Sequence, residues 1–161
     1  MPSILIRNFR PGDEAALRAV FHASVHGLAR PHYTPGQRDA WAPLRHDPAR
    51  WAERMQANQP FIAQVDGSEA LAGFADLQPT GYIDQFFVAP AFAGRGVARA
   101  LMEHLHARAR QRGITRLWAH VSLTAEPFFA AQGFAVQERR EVERAGVALR
   151  NALMDKTLAQ G

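Results

Sequence analysis

The chain has 161 residues, 47% hydrophobic and 21% charged, which excludes disordered and fibrous classes and suits one domain over residues 1–161. Its net charge of +4 comes from eighteen arginines and a single lysine spread along the chain, not from a basic run of the kind that marks a nucleic-acid patch. With no cysteine, disulfides, thiol nucleophiles and thiolate metal sites are excluded.

Ile4-Leu5-Ile6, followed by Arg7 and Phe9, predicts a first strand. Pro11-Gly12-Asp13 turns the chain, and Asp13 is the expected N-cap of a helix running to about Val25, with Leu17, Val20, Phe21 and Val25 on its buried face. Thr34-Pro35-Gly36-Gln37 is a capping box with proline at the first helical position, which starts a short helix carrying Trp41. Asp47-Pro48 starts another, with Trp51 and Met55, and Gln59-Pro60 ends it. Strands follow at Phe61–Val65 and Leu71–Leu77, with Asp66-Gly67 between them as a hairpin signal. Pro79-Thr80-Gly81 turns into a strand holding Asp84 and the apolar run Phe86-Phe87-Val88, which Pro90 stops.

After that strand come Gly94-Arg95-Gly96 and then Val97, Leu101 and Leu105, the spacing of one helical face. Strand, glycine turn and helix in that order make an anion site, because glycines admit close approach and the helix start presents free amides. A dinucleotide fingerprint would need glycine where Arg99 stands, and a P-loop would need a lysine and hydroxyl that are missing. Gly113 stops the helix. Ile114–Val121 is the next strand, Thr124 is the expected cap of a short helix ending at Gln132, and Phe134–Glu143 with Val147–Thr157 form a final hairpin around Ala145-Gly146.

Two segments carry a family resemblance. Ala93-Gly94-Arg95-Gly96-Val97-Ala98 is similar to the coenzyme A loop of the GNAT N-acetyltransferase superfamily, with Gly96 and Ala98 in place and Ala93 where that family has Gln or Arg. Ser122-Leu123-Thr124-Ala125-Glu126-Pro127-Phe128-Phe129-Ala130-Ala131-Gln132-Gly133-Phe134 resembles its later segment, keeping Ala125, Gly133 and Phe134, with Ser122 for Asn and Phe129 for Tyr. The element order resembles the family's across essentially the whole chain. The resemblance implies a mixed α/β fold, with a mostly antiparallel central sheet of about seven strands and helices on both faces.

It also implies an enzyme that transfers acetyl from acetyl-coenzyme A to the amine of a small molecule or peptide in a ternary complex. The pantetheine arm is expected along Phe86, Phe87 and Val88, where a free amide serves the developing oxyanion. Pyrophosphate is expected on the amides of Gly94, Gly96, Ala98 and Arg99, with Val97 and Phe129 beside the cofactor and Arg95 and Arg99 within reach of phosphate oxygens. Asp84 is the favoured base, on the reasoning that a regular strand puts Tyr82, Asp84, Phe86 and Val88 on one face and that apolar neighbours raise its pKa. His120 is the reserve base. Phe129 has no proton for the leaving thiolate, so Ser122, Tyr33 or a water takes that part.

The acceptor pocket is expected between Ser24 and Met55, with Tyr33, Trp41 and Trp51 as walls, cation–π attraction for an ammonium, and His26 nearby. His22 and His26 have the helical spacing of a zinc pair but lack the glutamate and a third ligand, so no metal is expected. A non-catalytic coenzyme A–binding module and a nucleic-acid-binding protein are the alternatives. No membrane span and no signal-peptide core appear in the sequence, so the cytoplasm is the expected compartment, with no nucleic-acid or membrane partner; a homodimer is compatible with the resemblance.

Overall fold

In the computed structural model, which describes residues 3–159, the elements follow the order β1 (Ile4–Asn8), α1 (Glu14–Leu28), α2 (Pro35–Trp41), α3 (Pro48–Asn58), β2 (Phe61–Val65), β3 (Leu71–Ala75), β4 (Tyr82–Ile83), β5 (Phe86–Val88), α4 (Val97–Gln111), β6 (Arg116–Ser122), α5 (Glu126–Ala131), β7 (Ala135–Arg144) and β8 (Val147–Thr157). A 3₁₀ turn at Pro90–Phe92 follows β5. The strands form two four-stranded sheets, β1-β2-β3-β5 and β4-β6-β8-β7. Every pairing is antiparallel except β4 with β6. Helix α4 packs on one face of the first sheet and α1 on the other, while α5 packs on β6, so helices cover both faces.

The strand expected to hold Asp84 is two strands. Its first half, Tyr82-Ile83, pairs with Trp118-Ala119 of β6; its second half, Phe86–Val88, pairs with Gly73–Ala75 of β3. This division gives eight strands rather than about seven, and the sheets part between β5 and β6. The cause is Asp76, which is fully buried just past the end of β3. Its carboxylate accepts the amides of Gln85 (2.6 Å) and Asp84 (3.1 Å) and the side-chain amide of Gln78 (2.6 Å). Two successive amides drawn to one carboxylate form a bulge, and a bulge shifts the alternation by one residue. Tyr82, Asp84 and Phe87 therefore face α1 and α3, while Ile83, Phe86 and Val88 face α4.

The core follows that division. On the α4 side Leu101, Met102 and Leu105 pack with Ala63, Ala75, Leu117 and Phe129. On the α1 side Leu17, Phe21 and Val25 pack with Ile62, Phe74, Trp51 and Met55. Gly81 admits the closest backbone approach: a Cβ there would lie 1.9 Å from the Arg116 carbonyl, at φ +86°. This contact lets β4 reach β6.

Three local expectations are corrected. Asp13 makes no side-chain cap to α1; its carboxylate takes a two-point bond from Arg7 (2.9 Å each), and α1 continues to Leu28. Thr124 does not cap α5, since Ser122 Oγ accepts the Ala125 amide (3.1 Å) and Thr124 Oγ1 meets His32 Nδ1 (3.0 Å). The regular strand assumed for Asp84 is broken by the Asp76 bulge. The capping box at Thr34 and Gln37 is present.

Candidate active site

The gap between β5 and β6 opens into two cavities that meet at Trp41, Phe87 and Ser122. The smaller, of about 480 Å³, is walled by Phe86, Val88, Phe92, Phe128 and Phe129 and reaches the glycine turn at Gly94 and Gly96. Helix α4 begins at Gly96, which has φ +84° and no side-chain cap, and its first intrahelical bond runs from the Ala100 amide to the Gly96 carbonyl. The amides of Val97, Ala98 and Arg99 therefore lie ahead of the first helical bond, at the positive end of the helix dipole. A Cβ at Gly94 would meet nothing within 4 Å, so the approach to these amides is open. Along β5, the Ala89 amide bonds the Ala72 carbonyl, and alternation turns the Val88 amide to the opposite edge, toward the gap.

Among the expected cofactor residues, Phe86, Phe87, Val88, Gly94, Gly96, Val97, Ala98, Arg99 and Phe129 all line this cavity. Arg95 does not; its guanidinium lies 5.6 Å from the Phe92 ring centre. Arg99 is exposed and paired with Glu103 one turn along the helix (3.2 Å). Phe129, 2% exposed, packs edge-to-face on Phe86 and Phe134, where a ring without a hydroxyl leaves no polar atom unpaired.

The larger cavity, about 850 Å³, brings together Asp84, His120, Tyr33, Trp41, Trp51 and Ser122. His26 is not brought to it: Nε2 meets the Ala42 carbonyl at 2.7 Å, a tie between α1 and the end of α2. Tyr33 is buried, with its hydroxyl donating to the Arg150 carbonyl and accepting the Leu123 amide, and burial pushes its pKa up. It is a latch that ties the segment before α2 to β8 and to the chain after β6. Trp51 donates to the Glu14 carbonyl and stacks on Phe21, so it belongs to the core as well as to the wall.

Asp84 does not sit among apolar neighbours as expected, because the bulge sends Ile83 and Phe86 to the other face. Its Oδ2 pairs with Arg54 (2.9 Å) and accepts Asn58 Nδ2 (2.8 Å), and no hydrogen bond from the described residues falls on Oδ1. His120 stands at the rim beside Tyr82 and Trp118, with Arg140 3.4 Å from Nδ1. Desolvation, then Arg140 and Arg144, lower its pKa against the opposing pull of Glu138 and Asp84, so the imidazole is neutral at neutral pH. The carboxyl that burial raises, to about 6, is Asp76, which serves the bulge.

Sequence reasoning missed Asp76, Gln85, Asn151 and the cavity's arginines. Asp76 had one signal, a lone carboxylate inside the apolar run Leu71–Leu77. The arginines of β7 had another, since Arg140, Val142 and Arg144 alternate with Glu141 and Glu143.

The family model described as an acetyltransferase (GNAT) domain matches residues 29–158. The chain belongs to the GNAT acetyltransferase family. It is 36% identical to the uncharacterized N-acetyltransferase YafP of Escherichia coli, over 96% of both chains. It is also 30% identical to streptothricin acetyltransferase of Streptomyces lavendulae, over 68% of this chain and 57% of that protein. The crystal structure of a GCN5-related N-acetyltransferase from Rhodopseudomonas palustris superimposes with a TM-score of 0.91 at 33% identity, covering 98% of each chain. The fold is shared with the PaiA N-acetyltransferase of Thermoplasma acidophilum, solved with coenzyme A (TM-score 0.73, 17% identity, 97% of this chain and 99% of that one). This GNAT protein is therefore an acyltransferase, for which the resemblance implies acetyl-coenzyme A as donor. The residues present fit that donor: an uncapped helix start with open space at the glycine turn suits phosphates, and the apolar cleft along β5 suits the pantetheine chain.

Proposed function

We propose that the enzyme acetylates the amine of a small molecule held in the larger cavity, and that transfer occurs where the two cavities meet, at Trp41, Phe87 and Ser122. The meeting of an apolar cleft with a separate polar cavity carries this reading, because direct transfer needs both partners present with a shared opening between them. Acetyl-coenzyme A supplies an activated acetyl carbon: a C–N bond forms as the C–S bond breaks, and of the two protons the ammonium gives up, one ends on the thiol and one in solvent.

The chain's own residues divide the remaining work. Asp84, fixed by Arg54 and Asn58, presents Oδ1 to the ammonium as an oriented anion. His120, neutral and at the rim, takes the proton, since an imidazole is intrinsically a stronger base than a carboxylate. This reverses the ranking drawn from the sequence, because the bulge and the Arg54 pair give Asp84 a positioning role. The Val88 amide at the gap edge supports the carbonyl oxygen, and Ser122, at the junction, or a water supplies the thiol's proton. Amino groups at neutral pH are mostly protonated, so kcat/KM rises with pH through the His120 pKa. Among the described residues no helix is long and apolar enough to cross a membrane, and the reading places the reaction in the cytoplasm.

Calorimetry with acetyl-coenzyme A and a thiol-release screen over small amines test the reading. Binding of acetyl-coenzyme A together with release that depends on an added amine is the expected result. Release equal with and without every amine would refute acetylation of a small acceptor.

A further inference from the structure

We propose that the acceptor amine also carries an anionic group, a carboxylate or a phosphate, held by Arg18, Arg140 and Arg144. This rests on the acetyl-transfer reading and names the substrate class of the same site. Six arginines line the larger cavity, Arg18, Arg50, Arg54, Arg140, Arg144 and Arg150, the last through its backbone, since Arg150 stands opposite Glu141 in the β7–β8 ladder and its side chain shares the face of Glu141. The carboxylates lining it are Asp47 and Asp84, and both are engaged. Asp47 Oδ1 caps α3 through the amides of Ala49 and Arg50, and Asp84 is paired with Arg54. Among the described residues, the other five arginines have no carboxylate within 4.0 Å.

Arg18 is the most telling of them. It is only 6% exposed, lies on the rings of Phe21 (5.1 Å) and Trp51 (5.6 Å), and donates Nη2 to the Pro43 carbonyl. Burial lowers its pKa, with no opposing partner. An unpaired cation held in a desolvated wall is costly by itself and strongly favours an anion beside it. Strand alternation adds Arg140 and Arg144 from one face of β7, with Glu141 and Glu143 turned away.

The same cavity holds acceptors without donors. Gln85, 4% exposed, has Oε1 unpartnered, and so does Oδ1 of Asn151. With Asp84 Oδ1 they suit the N–H groups of an ammonium, while the guanidinium groups suit carboxylate or phosphate oxygens. A purely cationic amine would face net positive charge. The cavity's volume of about 850 Å³ lies in the range of small-molecule sites, which favours a compact zwitterion over a polyanion.

The test titrates the protein saturated with coenzyme A, and its Arg18→Gln variant, with matched amines: β-alanine and its amide, phosphoethanolamine and ethanolamine, and spermidine. Thiol release from acetyl-coenzyme A is followed with the same set. In at least one pair the anionic member should bind, and be turned over, at least about tenfold better than its neutral partner. The pair that responds tells carboxylate from phosphate. Arg18→Gln should erase most of the difference between the two members of that pair. If that variant does not fold, Arg144→Gln, at an exposed site, should lower the discrimination about two- to fivefold. Equal or better use of the neutral amines or spermidine overturns the proposal and leaves acetyl transfer standing. So does the absence of binding by either anionic amine at roughly ten millimolar, or tight binding of single-stranded RNA in their place. Failure of acetyl-coenzyme A itself to bind would count against the underlying reading instead.

Discussion

The two cavities are built by different means. The cofactor cleft is made by backbone: an uncapped helix start, a glycine turn and a strand edge freed by splaying, lined by aromatic rings that carry no charge. The larger cavity, the proposed acceptor site, is made by side chains from eight elements, α1, α2, α3, β4, β5, β6, β7 and β8, with arginines and unpaired amide oxygens around aromatic walls. Backbone donors are present whatever the side chains, so on the proposed reading the first region serves the group common to a whole family of donors. Side-chain donors change with each substitution, so the second is where one acceptor is told from another.

The strongest way to break this contrast is His120→Ala. If the acceptor cavity holds the chemistry, kcat/KM falls about 10²–10⁴-fold while the acetyl-coenzyme A Kd from calorimetry stays put. A loss within threefold, with the ascending pH limb intact, would return the base to Asp84. Gly96→Val attacks the other region. A β-branched residue at φ +84° costs about 1–2 kcal/mol of strain and puts a side chain over the helix amides. Acetyl-coenzyme A affinity should drop at least about tenfold, and a folded variant with unchanged Kd would remove the cofactor assignment.

Asp84→Asn sharpens the division of labour. Loss of the oriented anion should raise the acceptor's KM about tenfold with a smaller change in kcat, and the pH limb should persist. Disappearance of the limb in kcat/KM profiles would make Asp84 the base after all. Arg140→Gln with Arg144→Gln removes nearby charges that, after desolvation, depress His120, so the limb should move to higher pH. A limb that does not move would mean that it reports some other group.

The smallest effect is expected at Phe129. Phe129→Tyr adds a hydroxyl to a buried ring, which should cost about 1–2 kcal/mol in thermal unfolding while leaving turnover unchanged or slightly raised. Loss of turnover with cofactor affinity preserved would show that the apolar packing against Phe86 and Phe134 matters to the reaction.

The sequence by itself determined most of the element order, the capping box at Thr34 and the glycine turn before α4, and it named most of the residues that line the smaller cavity. These are local: a turn, a cap or a helix face is written within a few neighbouring positions, and a site made of backbone amides needs only the right turn to exist. The tertiary structure decided the acceptor side. Asp76 acts on Asp84 and Gln85 from another strand, and its bulge alone reversed which neighbours face α4. His26, placed in the pocket by its position in the chain, is tied to the Ala42 carbonyl. Arg18 becomes a buried, unpaired cation only because Phe21, Trp51 and Pro43 close around it, and it comes to line one cavity with Arg140 and Arg144 only through the fold. Charge in a sequence is only a count; its partners, burial and direction arise when distant elements pack, and those are what select an acceptor.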